Sequence, residues 1–562
     1  MIFGKDNIER LPPPVGTSDW ARFSRTSYCV DKTLILKDLI DSESAVVLFT
    51  RPRRFGKTTM MKMIREFYDG DASLFEDKQI WAAGDRYRNE QGAHPVIYLT
   101  FKDVKQTTVE EAFEKISGDI IAEVWRFRDA VENGWGDGIK KEKLLRVMHG
   151  KGSRVELADS LGLLCEAIEA HGNKKPVILI DEYDQPITTA STYGFYDEMC
   201  SFMRVFLSGA LKDNEHCHLG IMTGVLRVAK EGILSGLNNP KVWTVFDESF
   251  SQYFGFTEAE VEAMATYYGA ADKLPEIKAW YDGYDFGGTE IYNPWSVLQY
   301  FDHGCKPDAY WLDTSSNDLI TEIVRDLPHD MVKTLEALLR DETPRVAMAK
   351  EFGPYKSIRE RKDSLYALLV SAGYLKVASG LEEGRCRVAI PNNEIAQVFV
   401  SDIKAKINNA LEVGTGDIVD ALLDRDADAL KSAIASFLLE SVSYFDAAAE
   451  GFFHGLSLGF LAVLRKRFRV FSNVESGEGR FDIALKPLID GFPAFVIEVK
   501  AADGPGDDLK ALARDARQQI DGKKYDATFR AEGLADIVKI GLAYYKDKVE
   551  LCDGERLGDS GE

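Results

Sequence analysis

The chain has 562 residues, of which 45% are apolar and 28% charged, and it carries a formal net charge of −22. That length exceeds one ordinary core and implies two to four globular domains. The acidic balance excludes a protein that coats nucleic acid by bulk electrostatics, because repulsion from phosphate opposes encounter; any nucleic-acid contact must be local.

The opening MIFGKDNIERLPPPVG is charged within its first ten residues and holds no apolar core of secretory-signal length. The most apolar run, LSLGFLAVL (456–464), is too short to cross a bilayer and runs into RKRFR. A cytoplasmic location with no membrane partner is expected. Seven cysteines stand singly with no CxxC pair, against both a disulfide framework and a thiolate zinc site. His216, Cys217 and His218 form a metal-like cluster whose two histidines share a strand face, but a third ligand is missing.

In chain order, SAVVLFT (44–50), PVIYLTF (95–101), PVILIDE (176–182) and HLGIMTG (218–224) are continuous β-rich apolar runs. Such runs suit central strands covered on both faces. Amphipathic segments near 59–68 and 199–211 separate them, the pattern of a mainly parallel sheet wrapped by helices. From about 256 the pattern turns helical, Thr257 and Glu260 standing in capping register, followed by a turn-rich aromatic connection, WYDGYDFGGTEIYNPWSVLQYF. Between about 360 and 410 the order is helix, strand, turn, strand, helix, as in a winged-helix module. A packing module without DNA contact is equally compatible, since Glu382 and Glu383 occupy the hairpin tip. Helices at 415–440 and 446–468 lead to RVFSNVES, GRFDIALKP and AFVIEVKAA, then a polar helix (506–521) and a closing strand, DIVKIGLAYY.

Residues 51–58, RPRRFGKT, follow a strand and open a helix. A phosphate-binding loop needs inward backbone N–H groups, a helix N-terminus, a lysine for the β and γ phosphates and a hydroxyl for Mg²⁺. Gly56 permits close backbone approach, Lys57 is the phosphate lysine and Thr58 the magnesium hydroxyl, with Arg51, Pro52, Arg53, Arg54, Phe55 and Thr59 completing the loop. A plain basic patch would account for Arg51, Arg53 and Arg54 but not for strand, Gly-Lys-Thr and helix in that order. VILIDEYDQP supplies the second half: Asp181 to hold Mg²⁺ and Glu182 to polarise the attacking water. PVIYLTF, lying between the two motifs in sequence, fits the P-loop ATPases that insert a strand between them. Thr223, ending HLGIMTG, is placed as a polar sensor of the γ phosphate. Arg227 is a candidate charge stabiliser or a plain surface arginine.

YCVDKT (28–33), RPRRFGKT, IDEYDQP, TGVLRVAKEGILSGLNN (223–239), YFGFTEAEV, WYDGYDFGG, YNPWS and YWLDTSSN together resemble the prokaryotic AAA-ATPase-like family that carries a PD-(D/E)XK nuclease domain at its C-terminus. The likeness runs through nearly the whole chain. It implies that RPRRFGKT is a working loop despite Arg51, that Asp31 and Lys32 have a nucleotide, interdomain or helix-entry role, and that Ser235, Asn238 and Asn239 belong to a family motif. The fold expected is α/β: a P-loop ATPase domain (1–250) with a helical lid (251–345), a winged-helix-like module (346–412), a helical linker (413–445) and a restriction-endonuclease-like domain (446–562).

In GRFDIALKP and AFVIEVKAA, Asp482, Glu498 and Lys500 stand on consecutive strands, the last two on one face because they are two apart. If the hairpin sets Asp482 opposite, two carboxylates can hold a divalent metal and a lysine can serve the water nucleophile. The resemblance adds Glu450 and Gln519 at the positions of that nuclease family's helical Glu and Gln, and Tyr525 at the end of its signature. His454 shares a helical face with Glu450 and is left outside the catalytic set. The function expected is an ATP-regulated, Mg²⁺-dependent nuclease, ATP binding or hydrolysis repositioning the catalytic module, and the resemblance implies DNA rather than RNA as its substrate. The alternative is an ATP-dependent switch or scaffold whose nuclease fold only binds. Arg227 acting in a neighbouring copy would make the assembly a homo-oligomer.

Overall fold

The structure is a computed structural model. It describes residues 2–3, 9–133, 135, 138–227, 237, 240–311, 334, 337–338, 342–349, 362–380, 384–398, 417–441, 453, 457, 461, 464, 468–476, 479–488, 492–502, 504, 506–546 and 548–553. The chain divides into two compact units, 1–400 and 401–562.

Unit 1 is built on a five-stranded parallel sheet: β1 (Val46–Thr50), β2 (Val96–Thr100), β3 (Val177–Asp181), β4 (Leu219–Gly224) and β5 (Lys241–Trp243). Every residue of β1, β3 and β4 is buried, as unbroken apolar runs require when helices cover both faces. The spatial order is β2-β3-β4-β1-β5. The strand inserted between the P-loop strand β1 and the acidic strand β3 is therefore β4, HLGIMTG. PVIYLTF lies between the motifs in sequence but at the outer edge of the sheet. Parallel pairing needs a long crossover, so sequence neighbours are free to be separated in space.

Helix α1 (Lys57–Asp69) leaves the end of β1 through Gly56, whose φ of 81° favours glycine. Its buried side carries Met60, Met61, Met63, Ile64, Phe67 and Tyr68. Farther along, α2 (Glu258–Tyr268) begins at Thr257, whose N–H donates to Glu260 at 2.8 Å, the expected capping contact. The aromatic stretch expected as a turn is more ordered than that. It forms a hairpin of β6 (Tyr284–Phe286) and β7 (Thr289–Ile291), then α3 (Pro294–Asp302). Gly287 and Gly288 turn it with positive φ, and a Cβ on Gly287 would lie 2.3 Å from the Asp247 backbone.

The middle segment has α4 (Lys362–Ser371), β9 (Lys376–Val377), β10 (Arg385–Ala389) and α5 (Asn393–Val398), the expected order. A further strand, β8 (Arg345–Ala347), pairs with β10 and was not expected. The hairpin-tip glutamates 382 and 383 lie outside the described residues. Glu394 on α5 is fully buried and accepts from Ser296 Oγ on α3 at 2.8 Å and from Trp311 N at 2.9 Å, fastening α5 to α3 and the segment that follows it.

Unit 2 is a mixed five-stranded sheet in sequence order: β11 (Phe468–Ser476), β12 (Gly479–Pro487), β13 (Ala494–Ala501), β14 (Ile537–Tyr545) and β15 (Lys548–Cys552). Only the β13–β14 pair is parallel. Helix α6 (Leu509–Gly522) makes that crossover, and it packs so closely that a Cβ on Gly541 would lie 2.2 Å from Ala513 O. DIVKIGLAYY is not the last strand; β15 follows it as an edge. The helix expected at 446–468 lies largely outside the described residues. No helix among the described residues is long and apolar enough to cross a membrane.

Candidate functional site

In unit 1, β1, β3 and β4 end side by side and present Arg51–Thr58, Asp181–Glu182 and Thr223 at one edge of the sheet, where ligands of open α/β folds bind. Thr58 Oγ1 donates to Asp181 Oδ2 at 2.7 Å, and Thr223 Oγ1 to Asp181 Oδ1 at 2.6 Å. Asp181 is fully buried. Burial and the neighbouring Glu182 push its pKa up, against these hydroxyls and the nearby Lys57. Lys57 is also buried, its ammonium 3.1 Å from the carbonyls of Arg51 and Pro52 and 3.2 Å from Glu182 Oε1. The ammonium thus borrows loop carbonyls and one carboxylate as partners. Glu182 holds φ at 55° and Arg54 at 72°, so both site loops carry backbone strain unusual for non-glycine residues.

A cavity of about 690 Å³ opens over the loop, lined by Arg53, Arg54, Phe55, Gly56, Lys57, Thr58, Thr59 and Glu182. Its volume suits a ligand of nucleotide size. Lys102 and Lys105, just past β2, add positive charge to its wall, and Pro14, Tyr28, Phe256 and Trp295 add apolar and aromatic surface. Arg54 stacks on Trp295 at 4.4 Å, while Phe55 packs edge-on against Tyr284 at 4.8 Å. Carboxylates backed by a hydroxyl and set beside a phosphate-sized loop fit a magnesium–triphosphate ligand, whose metal would be held by Thr58 and Asp181.

Other expected site residues stand outside that cavity. The Arg51 guanidinium lies behind the loop, fully buried, donating to Thr50 O and Trp243 O at 2.9 Å and Phe250 O at 3.3 Å, with the rings of Phe254 and Phe286 on it. Burial pulls its pKa down. Arg51 replaces an opening glycine by serving as a strut, while its carbonyl still meets Lys57. Pro52 is buried against Gly373, and Thr223 faces Asp181 rather than the open cavity. Arg227 is half-buried and is not among the described residues lining the cavity. Ser235, Asn238 and Asn239 lie outside the described residues.

Asp31 and Lys32 are joints. Asp31 accepts from Thr33 N at 2.9 Å and Gln79 N at 2.8 Å, while Lys32 Nζ binds Glu260 and Gln252 O, each at 2.6 Å. Lys32 also lines the cavity. Asp184 went unnoticed in the sequence. It is buried and accepts from Val225 N and Leu226 N at 2.9 and 2.8 Å, tying the acidic strand to the segment after β4. Burial, then the charge of Glu182, pushes its pKa up to about 6. Gly224 is required there, for a Cβ would meet Asp184 at 2.6 Å. A second acid two residues after a DE pair was the available signal.

In unit 2, β12 and β13 pair Ile483 with Ile497, so the next step sets Asp482 opposite Glu498. Val499 N–H donates to Asp482 Oδ2 at 2.8 Å, and Asp482 N–H to Glu498 Oε2 at 3.4 Å. Each carboxylate is thus held by the other strand's backbone. Lys500 Nζ lies 4.0 Å from Glu498 Oε1, and Gln519, from α6, donates its amide to that same oxygen and to Tyr525 Oη at 3.3 Å. Glu498 is buried, and burial followed by the charge of Asp482 pushes its pKa up to about 7. Two carboxylates converging in a half-dry site fit a divalent cation, which would be held by Asp482 and Glu498. Glu450 and His454 lie outside the described residues.

A P-loop ATPase fold and a carboxylate–lysine cluster on inner strands define the class. Residues 14–234 match the family model described as predicted AAA-ATPase, and residues 448–554 that of the PD-(D/E)XK nuclease superfamily. The chain therefore carries an AAA-ATPase-like domain and, toward its C-terminus, a PD-(D/E)XK nuclease superfamily domain. It is also 26% identical over 571 residues to a protein of Azotobacter chroococcum mcd 1 described as "Uncharacterized protein in vnfD 5'region", covering 96% of this chain and 98% of that one.

Arg51→Lys keeps the charge but loses the fork onto three carbonyls. It should destabilise unit 1 by roughly 1.5–3 kcal/mol in chemical denaturation, whereas Arg53→Ala should act chiefly on ATP affinity. For Glu498 the sign follows from a raised folded pKa: its protonated form contributes stability fully present below the ordinary value of 4.5 and lost as pH rises toward about 7. Metal-free protein should therefore lose unit-2 stability across that window and level off above it, and Glu498→Gln should flatten that part of the profile.

Proposed function

We propose that the protein binds and hydrolyses ATP and that its nucleotide state regulates a metal-dependent phosphodiester hydrolase acting on nucleic acid, DNA in preference to RNA, in the cytoplasm. The observation that carries the reading is the convergence of Asp482, Glu498 and Lys500 on the inner strands β12 and β13 with Gln519 of α6. A retired nuclease fold has no reason to keep a buried, elevated-pKa carboxylate against a second carboxylate, since that arrangement costs stability without a cation.

In the ATPase unit, Lys57 exchanges its contacts with Glu182 and the loop carbonyls for the β and γ phosphates. Releasing Glu182 leaves its carboxylate to orient water toward the γ phosphorus. Thr58 and Asp181 would hold the magnesium that accompanies the nucleotide, and Thr223 keeps Asp181 in position. Arg53, Lys102 and Lys105 add positive charge to the cavity that receives the triphosphate. Arg227 is proposed as a charge stabiliser acting in its own site or in that of another copy.

In the nuclease unit, the backbone N–H of Val499 aims the Asp482 carboxylate, and Gln519 steadies Glu498. Lys500 stands beside Glu498, where its ammonium can orient a water or neutralise charge on the phosphate. A divalent cation held by the two acids would supply Lewis-acid activation and stabilise the departing oxygen. The acidic balance of the whole chain favours a second reading, a non-catalytic binding module under ATP control, because a net charge of −22 works against DNA approach.

One assay separates these readings: purified full-length protein with Mg²⁺ or Mn²⁺ on DNA and RNA, with and without ATP. Metal-dependent cleavage should fall by at least about 10³-fold in Asp482→Ala, and Lys57→Ala should abolish ATP turnover and the ATP effect on cleavage. ATP turnover with no cleavage under any of these conditions selects the binding-module reading.

A further inference from the structure

At the opposite edge of the unit-1 sheet from the P-loop, His94 stands two residues before β2 and His218 directly precedes β4. Their backbones are fixed: His94 N–H donates to Tyr68 O at 3.2 Å and His218 N–H to Pro176 O at 2.8 Å. The imidazoles stack with centroids 3.7 Å apart and planes within 14°. Both offer Nε2 to one carboxylate oxygen, Glu90 Oε2 lying 3.2 Å from His94 Nε2 and 3.7 Å from His218 Nε2. Glu90, His94 and His218 thus bring three ligand atoms within 4.8 Å of one another. Neither histidine is used by the ATPase or nuclease sites.

The hydrogen-bond geometry orients His94 as a metal-bound imidazole would be oriented. His94 Nδ1 is 2.8 Å from Lys175 O, and a carbonyl only accepts, so Nδ1 carries the hydrogen. Nε2 of His94 is thereby left facing a carboxylate oxygen, the direction in which a metal ion would be bound. The distances suit an ion as well: ligands about 2.0–2.1 Å from a tetrahedral centre stand about 3.3 Å apart. Stacked, the two rings do not aim their lone pairs at one point, so closing the site requires the exposed His218 ring to rotate out of the stack. Tyr68, at the end of α1, stands edge-on to both imidazoles, and its buried hydroxyl has no hydrogen-bond partner among the described residues.

We infer that Glu90, His94 and His218 form a binding site for a divalent transition-metal ion of the zinc class, with a fourth position open to water. The hydrogen bond from His94 to Lys175 O is the outer-shell contact that orients a metal-bound imidazole. The ion would clasp the starts of β2 and β4, the two strands flanking the acidic strand β3, and so act as a staple on the ATPase sheet. Sequence reading had set His218 beside His216. In the structure His216 turns to Glu169 at 2.7 Å and takes no part.

The test uses full-length, metal-stripped, nucleotide-free protein carrying Asp482→Ala, which removes the nuclease metal site, titrated with Co²⁺ as an optical probe. One equivalent should bind with the visible absorption of a four-coordinate histidine–carboxylate site, be displaced by Zn²⁺, and raise the melting temperature. Affinity should fall at least tenfold in Glu90→Gln and in His218→Gln, both at accessible positions where misfolding is not expected, while the band should vanish in His94→Ala and persist in His216→Ala. No visible band in the parent, equal binding in Glu90→Gln and His218→Gln, or loss of the band in His216→Ala would each overturn the assignment.

Discussion

Two carboxylates cannot share a small, poorly solvated space without something positive to join them. That constraint organises the protein. At Asp482 and Glu498 it is met in part by backbone N–H groups, by Gln519 and by Lys500, and what remains is expressed as a Glu498 pKa near neutrality. The same constraint acts around Asp181, Glu182 and Asp184, where Lys57 and two threonine hydroxyls offset three neighbouring acids. In both units the site is therefore poised for a cation, and in unit 1 for the phosphates that travel with one.

The scaffold maintains that tension by spending conformational freedom elsewhere. The P-loop is bent through Arg54 and Gly56, then fastened from behind by the buried Arg51 fork and from the side by Phe55 against the β6–β7 hairpin. Lys32 joins the N-terminal segment to the cap of α2, so one wall of the cavity depends on contacts more than two hundred residues apart in sequence. In unit 2 the close approach of α6 to Gly541 brings the helix that carries Gln519 down onto the sheet. These are packing solutions to a positioning problem, and each relies on a residue whose shape or charge has no substitute.

Much of this was legible because it is local. Apolar runs ending in GKT, DE and TG announced β1, β3 and β4 and the chemistry at their ends, and the two-residue spacing of Glu498 and Lys500 put them on one face. What stayed hidden depends on long-range pairing. Strand order cannot be read from parallel crossovers, so the place of HLGIMTG between the motifs emerged only in the sheet. Arg51 looks like a phosphate ligand by position, and only the carbonyls of Trp243 and Phe250 reveal it as a strut. Asp31 and Lys32 needed Gln79 and Glu260 to acquire a role, and His218 needed partners more than a hundred residues upstream. The edge strand β15 was missed because Lys548 and Glu550 break its apolar pattern, as edge strands often require.

The central claim, that Asp482 and Glu498 gather a divalent ion, is tested most directly by anomalous diffraction from crystals soaked in Mn²⁺. The account predicts a peak about 2.2 Å from a carboxylate oxygen of each residue, absent in crystals of Glu498→Gln. A fully occupied Mn²⁺ position elsewhere in unit 2, with no density between these two side chains, would contradict it.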